Sequence, residues 1–173
     1  APADAVRLYS RHIAADEAKH LAKALPYLLE DEVIDDVDDL HFAYQPIGDE
    51  QYLMAIVRNE QMHEWQSALP ERWEGRWLPE PLLLPWQPGE VCIVMESDSA
   101  VLRFGQWTGT RIERSLIAPL LSGLEDEPTA IIIYGQQQTE DTDTVPEHLQ
   151  SLVQWRQGNL GSALLLALFL KQG

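Results

Sequence analysis

Leu25-Pro26-Tyr27-Leu28-Leu29-Glu30-Asp31-Glu32, followed after Val33-Ile34-Asp35 by Asp36-Val37-Asp38-Asp39-Leu40-His41-Phe42, is the most informative stretch of the chain. Its first half belongs to a helix. Ala18, Leu21, Ala22, Leu25, Leu28 and Leu29 recur at helical spacing, and Asp16 and Glu17 stand where the positive end of the helix favours carboxylates. Pro26 has no N–H to give and is expected to kink that helix or split it in two. From Glu30 to Asp39 seven of ten residues are acidic and none is basic. Val33, Ile34, Val37 and Leu40 fall at i, i+1, i+4 and i+7, which predicts a short helix with one inward apolar stripe and an anionic outer face.

Glu30, Asp31, Glu32, Asp35, Asp36, Asp38 and Asp39 admit three readings. The plainest is a solvated outer face. A protein-docking face comes next, since crowded carboxylates repel one another and a basic partner relieves that repulsion. A calcium site is the weakest. Asp35-Asp36-Val37-Asp38-Asp39 lacks the glycine and the closing bidentate Glu of a calcium loop, and carboxylates on a short helix diverge.

Working outward, Val6 to Ile13 alternates apolar and polar and predicts a half-buried strand. Leu40–Ile47 and Tyr52–Arg58 read as a hairpin turning at Gly48-Asp49-Glu50. Asn59 is positioned to cap a helix over Glu60–Leu69, and Trp77–Pro85 suggests one short strand. Pro85-Trp86-Gln87-Pro88-Gly89 marks a boundary. Beyond it come a meander (Val91–Met95, Ala100–Phe104, Thr110–Glu113), a helix Ser115–Ser122 and a buried strand Thr129–Tyr134. Gly135–Val145 reads as a polar loop, and Pro146–Trp155 and Asn159–Lys171 as helices. Leu160–Leu170, 11 residues long, is too short for a bilayer, which takes about 20 residues, so it is expected inside a soluble domain.

The chain has 173 residues, 12 Lys+Arg and 28 Asp+Glu, hence a net charge of −16. That length suits one domain or two small lobes. That charge disfavours nucleic acid and anionic membrane surfaces and favours a basic partner surface. Cys92, the single cysteine, lies in the apolar run Val91–Val94 and reads as a small buried hydrophobe. Ala1-Pro2-Ala3-Asp4 has neither the basic nor the apolar part of a signal peptide. The histidines (His12, His20, His41, His63, His148) show no HxxxH or HExxH spacing. No GxSxG elbow, GxxxxGK[ST] or GxGxxG occurs, and the six tryptophans do not alternate with basic residues. The sequence therefore offers no catalytic residue, no cofactor and no metal site.

The run Leu25–Glu32 followed by Asp36–Phe42 closely resembles one family, the cytoplasmic domain of the inner-membrane L component of bacterial type II secretion (GspL, EpsL). Met62–Leu69, Arg76–Pro85 and Gly89–Ser122 resemble further pieces of the family in the same order. The resemblance covers most of residues 1–134 and is sharpest over 25–42. It implies an α/β, actin-like fold with RNase H-like lobes, as in FtsA and PilM. Residues 1–58 would be a small α/β subdomain inserted in the first lobe, 59–86 the remainder of that lobe and 87–173 the second lobe. It also implies an adaptor without catalytic activity. Such a protein recruits the secretion ATPase GspE by binding its N-terminal domain, pairs with GspM, and leaves a homodimer open. The expected location is the cytoplasmic side of the bacterial inner membrane, with no direct membrane contact by this part of the chain. Family members carry strands ahead of the position of Ala1 and a transmembrane helix beyond that of Gly173, so the chain is expected to be a fragment with an incomplete first lobe.

The rival function for an actin-like fold is a nucleotide-binding ATPase. That chemistry uses a DxG turn whose backbone N–H groups approach phosphate. The corresponding turn here is Glu96-Ser97-Asp98-Ser99, without glycine. The expected docking site is the acidic segment Glu30–Asp39 of the first subdomain.

Overall fold

In the computed structural model of the protein, residues 1–70, 77–135 and 144–156 are described. The chain divides into two units, Ala5–Trp77 with Ala1, and Leu78–Gly173 with Pro2–Asp4.

The first unit is built on a three-stranded antiparallel sheet of β1 (Arg7–His12), β2 (Leu40–Gly48) and β3 (Gln51–Arg58), in the order β1-β3-β2. The predicted β2–β3 hairpin turns through Asp49 and Glu50, which join Gly48 in positive φ. Pro46 sits on the edge strand beside a register shift, a place where strands tolerate a residue without an N–H. Helix α1 (Ala15–Ala18) and helix α2 (Leu21–Leu29) follow β1. Leu21, Leu25 and Leu29, each four residues apart, are buried with Ile13, Leu40, Met54 and Ile56 to form the unit's core.

Three expectations are corrected here. The helical pattern breaks at Lys19–His20, not at Pro26, which stays inside α2. Ala22, whose carbonyl the missing N–H of Pro26 would have met, lies on the exposed side where water can serve it. Helix α3 (Asn59–Ser67) has Arg58 at its N-cap with no side-chain cap; the Asn59 amide instead donates to the Asp38 carbonyl at 3.0 Å. The acidic segment forms no continuous helix, only two short 3-10 turns, Glu30–Glu32 and Val37–Asp39.

The second unit carries a five-stranded sheet in the order β6-β5-β4-β7-β8. Strands β4 (Glu90–Met95), β5 (Ser99–Arg103) and β6 (Gly109–Glu113) are the predicted antiparallel meander. Strands β7 (Ala130–Tyr134) and β8 (Val153–Arg156) add in parallel beyond β4. This meander extended by two parallel strands is the sheet expected of an RNase H-like lobe. Helix α4 (Ile117–Ser122) makes the crossover into β7. On β4, Val91 and Ile93 pack with Ile117, Leu121 and Leu149 on one face, and Cys92 and Val94 pack with Leu84 and Ile132 on the other. A central strand covered on both faces needs a continuous apolar run, which Val91–Val94 supplies. Burial pushes the Cys92 thiol up to about 12, with the Glu90 charge adding to the effect.

Two further expectations are corrected in this unit. Trp77–Pro85 contains a 3-10 turn, Glu80–Leu83, in place of a strand, because Pro79, Pro81 and Pro85 cannot donate to a ladder. Pro146–Trp155 is a 3-10 turn, Glu147–Leu152, followed by β8 in place of a helix. There the open edge of β7 recruits Val153–Arg156, whose Val153 and Trp155 pack on the core. Most of the Gly135–Val145 loop, and the helix expected over Asn159–Lys171 with its apolar stretch Leu160–Leu170, lie outside the described residues.

A partly buried ion-pair network fixes the Pro-rich turn to the meander. Nη2 of Arg111 lies 2.9 Å from both oxygens of Glu80, its Nη1 donates to Glu96, and the Ala3 N–H reaches Glu80 Oε2 at 3.1 Å. Burial lowers the pKa of Arg111, but hydrogen bonds and charge from Glu96 and Glu80 outweigh that and hold it above the usual range. Next to it, Arg103 donates to the carbonyls of Leu82 and Leu84 at 2.9 and 2.7 Å. Gly109 on β6 faces Pro81, and a Cβ there would collide with Pro81 and with the Leu102 carbonyl.

Candidate docking surface

Helix α2 spends Leu21, Leu25 and Leu29 on the core, which turns Tyr27 and Leu28 to solvent. Tyr27 is 77% exposed and Ile34, at the bend between the two 3-10 turns, is 94% exposed. Ile34 thus leaves the inward stripe assigned to it. Leu40 is buried, Val33 packs against the core, and Val37 is half-buried.

The seven carboxylates separate into two sets. Glu32 pairs with Arg11, whose Nη1 also donates to the Leu28 carbonyl at 3.2 Å, and the Tyr9 hydroxyl donates to the Glu32 carbonyl at 3.2 Å. Asp35 pairs with Arg58 at 2.6 Å, and Asp36 caps the second turn by accepting from the Asp38 N–H at 3.0 Å. Glu32, Asp35 and Asp36 therefore hold the segment in shape. Glu30, Asp31, Asp38 and Asp39 are exposed, and their carboxylates form no ion pair among the described residues.

Position makes two of the free set, Glu30 and Asp31, unfavourable to folding. Glu30 and Asp31 follow the C-terminus of α2, the negative end of its dipole, where each carboxylate costs roughly 0.3–1 kcal/mol. Arg11 offsets part of this by bonding the Leu28 carbonyl. In protein interfaces generally, apolar anchors carry affinity and rim charges steer the approach. Sequence periodicity missed Tyr27, Leu28 and Ile34 as surface residues. The available signal was that a Leu21/Leu25/Leu29 row already fills one helix face.

Elsewhere, the β4–β5 turn Glu96–Ser99 is closed by Glu96 N–H to the Ser99 carbonyl at 2.9 Å, and none of its residues takes positive φ. Glu96 faces Arg111, and Ser99 Oγ donates to it at 3.2 Å. Among the described residues no group of three or more His, Cys, Asp or Glu is placed to hold a metal, and no helix is long and apolar enough to cross a membrane.

Comparison with known proteins bears on the whole chain. A family model described as "Type II secretion system (T2SS), protein L" matches residues 1–168. The type II secretion system protein L of Pectobacterium carotovorum subsp. carotovorum is 28% identical over 64 residues, covering 37% of this chain and 15% of that relative's length. The cytoplasmic domain of EpsL, an inner membrane component of the type II secretion system of Vibrio cholerae, superposes with a TM-score of 0.75 at 23% identity, covering 99% of this chain and 72% of that one. The fold is the actin-like α/β architecture that the resemblance implied.

Proposed function

This chain belongs to the type II secretion system protein L family, and on that premise we propose that it is a non-catalytic adaptor that recruits the secretion ATPase by docking the N-terminal domain of that enzyme (GspE). The surface of Tyr27, Leu28 and Ile34, flanked by Glu30, Asp31, Asp38 and Asp39, is the docking face. Residues 1–58 form the inserted subdomain that carries it, and 87–173 the second lobe. The observation that carries the reading is Ile34, 94% exposed in the middle of an acidic segment in which Glu32 and Asp35 are held by Arg11 and Arg58 while Glu30, Asp31, Asp38 and Asp39 form no ion pair among the described residues. The same reading puts this chain on the cytoplasmic side of the inner membrane and pairs the protein with GspM.

The β4–β5 turn supports the non-catalytic side of the proposal. A phosphate cradle needs backbone N–H groups free to converge and no competing anion. Here the Glu96 N–H is spent on Ser99, and the Glu96 carboxylate stands at the turn. The test is co-purification of a tagged ATPase N-terminal domain with this chain. We expect a stoichiometric complex that Mg-ATP leaves unchanged. A chain that retains Mg-ATP and not the ATPase domain would refute the reading.

A further inference from the structure

We infer that the outer edge of β2 takes up an extended strand of a partner protein, one with an uncharged centre and basic residues at both ends. β2 is an edge of its sheet, with β3 on one side and no strand on the other. In an antiparallel pair every second residue turns its N–H and C=O away from its neighbour. Along His41–Gln45 these outward groups bond to nothing among the described residues. Such a row is a template that another extended backbone pairs residue by residue, which no lipid, nucleic acid or small cation can do. The edges of the two sheets are not alike. β1 carries Arg7 and Arg11, β6 carries Arg111 and Glu113, and β8 ends in Arg156; charged side chains on an edge discourage further pairing. Leu40–Gly48 holds no Asp, Glu, Lys or Arg.

Pro46 and the register shift beside it close the far end of the edge, which leaves His41–Gln45 as the open stretch. Side chains alternate between the faces of a strand, yet Ala43, Tyr44, Gln45 and Pro46 are all exposed, so neither face is covered there. Tyr44, 43% exposed, has its ring 6.3 Å from that of Tyr52 and offers an incoming strand an aromatic neighbour. The ends of β2 set the charge of the occupant. Asp38 and Asp39 precede it and Asp49 follows it, all exposed and without an ion pair among the described residues, while Glu50 meets His12 at 3.3 Å. A second copy of β2, paired antiparallel about Ala43 and Tyr44, would bring the acidic start of each strand against the acidic end of the other, and like charges oppose that pairing. A strand with Lys or Arg at both ends meets carboxylate at both. The open backbone thus selects a polypeptide, and the flanking acids select its charge. The inference does not rest on the ATPase reading, and its probe contains no part of that enzyme.

The test is fluorescence anisotropy of the whole chain with a labelled, terminally blocked peptide of alternating valine and threonine between paired lysines. Beside it runs the same peptide with every central residue N-methylated, which keeps side chains and charge but removes the strand's donors. We expect saturable binding, weakened at least about tenfold by N-methylation and at least about threefold by Asp38→Asn/Asp39→Asn. Hydrogen exchange of the saturated complex should slow within His41–Gln45 and stay unchanged over Arg7–His12, the charged edge of the same sheet. Binding that does not saturate, an N-methylated peptide that binds as tightly as its parent, or protection that falls outside β2 would overturn the inference. A folded Asp38→Asn/Asp39→Asn chain that binds as the parent does would overturn the charge assigned to the occupant. If exchange at His41–Gln45 instead slows as the chain alone is concentrated, a second copy takes the edge and the assignment to a partner strand falls.

Discussion

Arg111→Ala is the substitution whose effect follows most directly from the structure. Its guanidinium holds both oxygens of Glu80 at 2.9 Å and also serves Glu96. The Glu80 side chain is only 10% exposed, and without Arg111 it keeps, among the described residues, the Ala3 N–H at 3.1 Å. Removing one partner of a buried pair costs about 3–5 kcal/mol. Arg111 is 22% and Glu96 33% exposed, so solvent reduces that part of the loss, and about 2–3 kcal/mol is expected. For a chain of this size that is a fall in Tm of about 4–12 °C. Urea unfolding followed by circular dichroism, on Arg111→Ala, Glu80→Gln and the double variant, separates the pair from its surroundings. The double variant should lose at least about 1 kcal/mol less than the sum of the singles, because the second change removes a charge already stranded by the first. A single variant within about 0.5 kcal/mol of the parent, or strict additivity, would refute the network as a source of stability.

Ile133→Ala, at a position 0% exposed on a strand paired on both sides, should cost about 2–5 kcal/mol, checked by the same urea titration; a loss under about 1 kcal/mol would mean that the core collapses around it. The Cys92 thiol rises from 9.0 to about 12 on folding, so the folded state holds its proton more tightly. Its contribution is whole below the unfolded thiol's value and is lost as pH rises from 9.0 toward 12. The parent should therefore lose stability over that window more steeply than Cys92→Ala, and parallel stability–pH curves would contradict the burial. Arg11→Ala should change global stability by at most about 1 kcal/mol, since its ion pair is exposed, while raising amide exchange over residues 28–34; unchanged exchange would show that Arg11 does not hold the segment.

The meander of the second unit was legible because strand alternation, turn residues and apolar runs all agreed on it. Val91–Val94 could be read as an apolar strand of that meander with Cys92 buried in it, and the structure adds that both of its faces are covered. Elements decided by tertiary context were not legible. Val153–Arg156 has no local signal strong enough to outbid a helix until β7 offers it an edge. The Pro-bounded turn at Glu80–Leu83 forms because Arg103 and Arg111 reach back from β5 and β6 to hold it, some 20 to 30 residues on. The acidic segment shows the limit for the site. Its composition marked it out, but helical periodicity put Ile34 inside, whereas the chain bends after Glu32 and exposes it. Composition also treats seven carboxylates alike, and only the positions of Arg11, Arg58 and the Asp38 N–H divide those that shape the segment from those that form no ion pair among the described residues.

That division sets the most direct measurement of the central claim: stopped-flow association and dissociation of the ATPase N-terminal domain with this chain over a range of salt. Glu30→Lys/Asp31→Lys should leave the fold intact, slow association and flatten its salt dependence. Tyr27→Ala/Ile34→Ala should leave the association rate near the parent's and speed dissociation at least about tenfold, because buried apolar anchors govern residence time. If both variants associate and dissociate as the parent does, with the same salt slope, the acidic segment is solvated surface and the ATPase docks elsewhere.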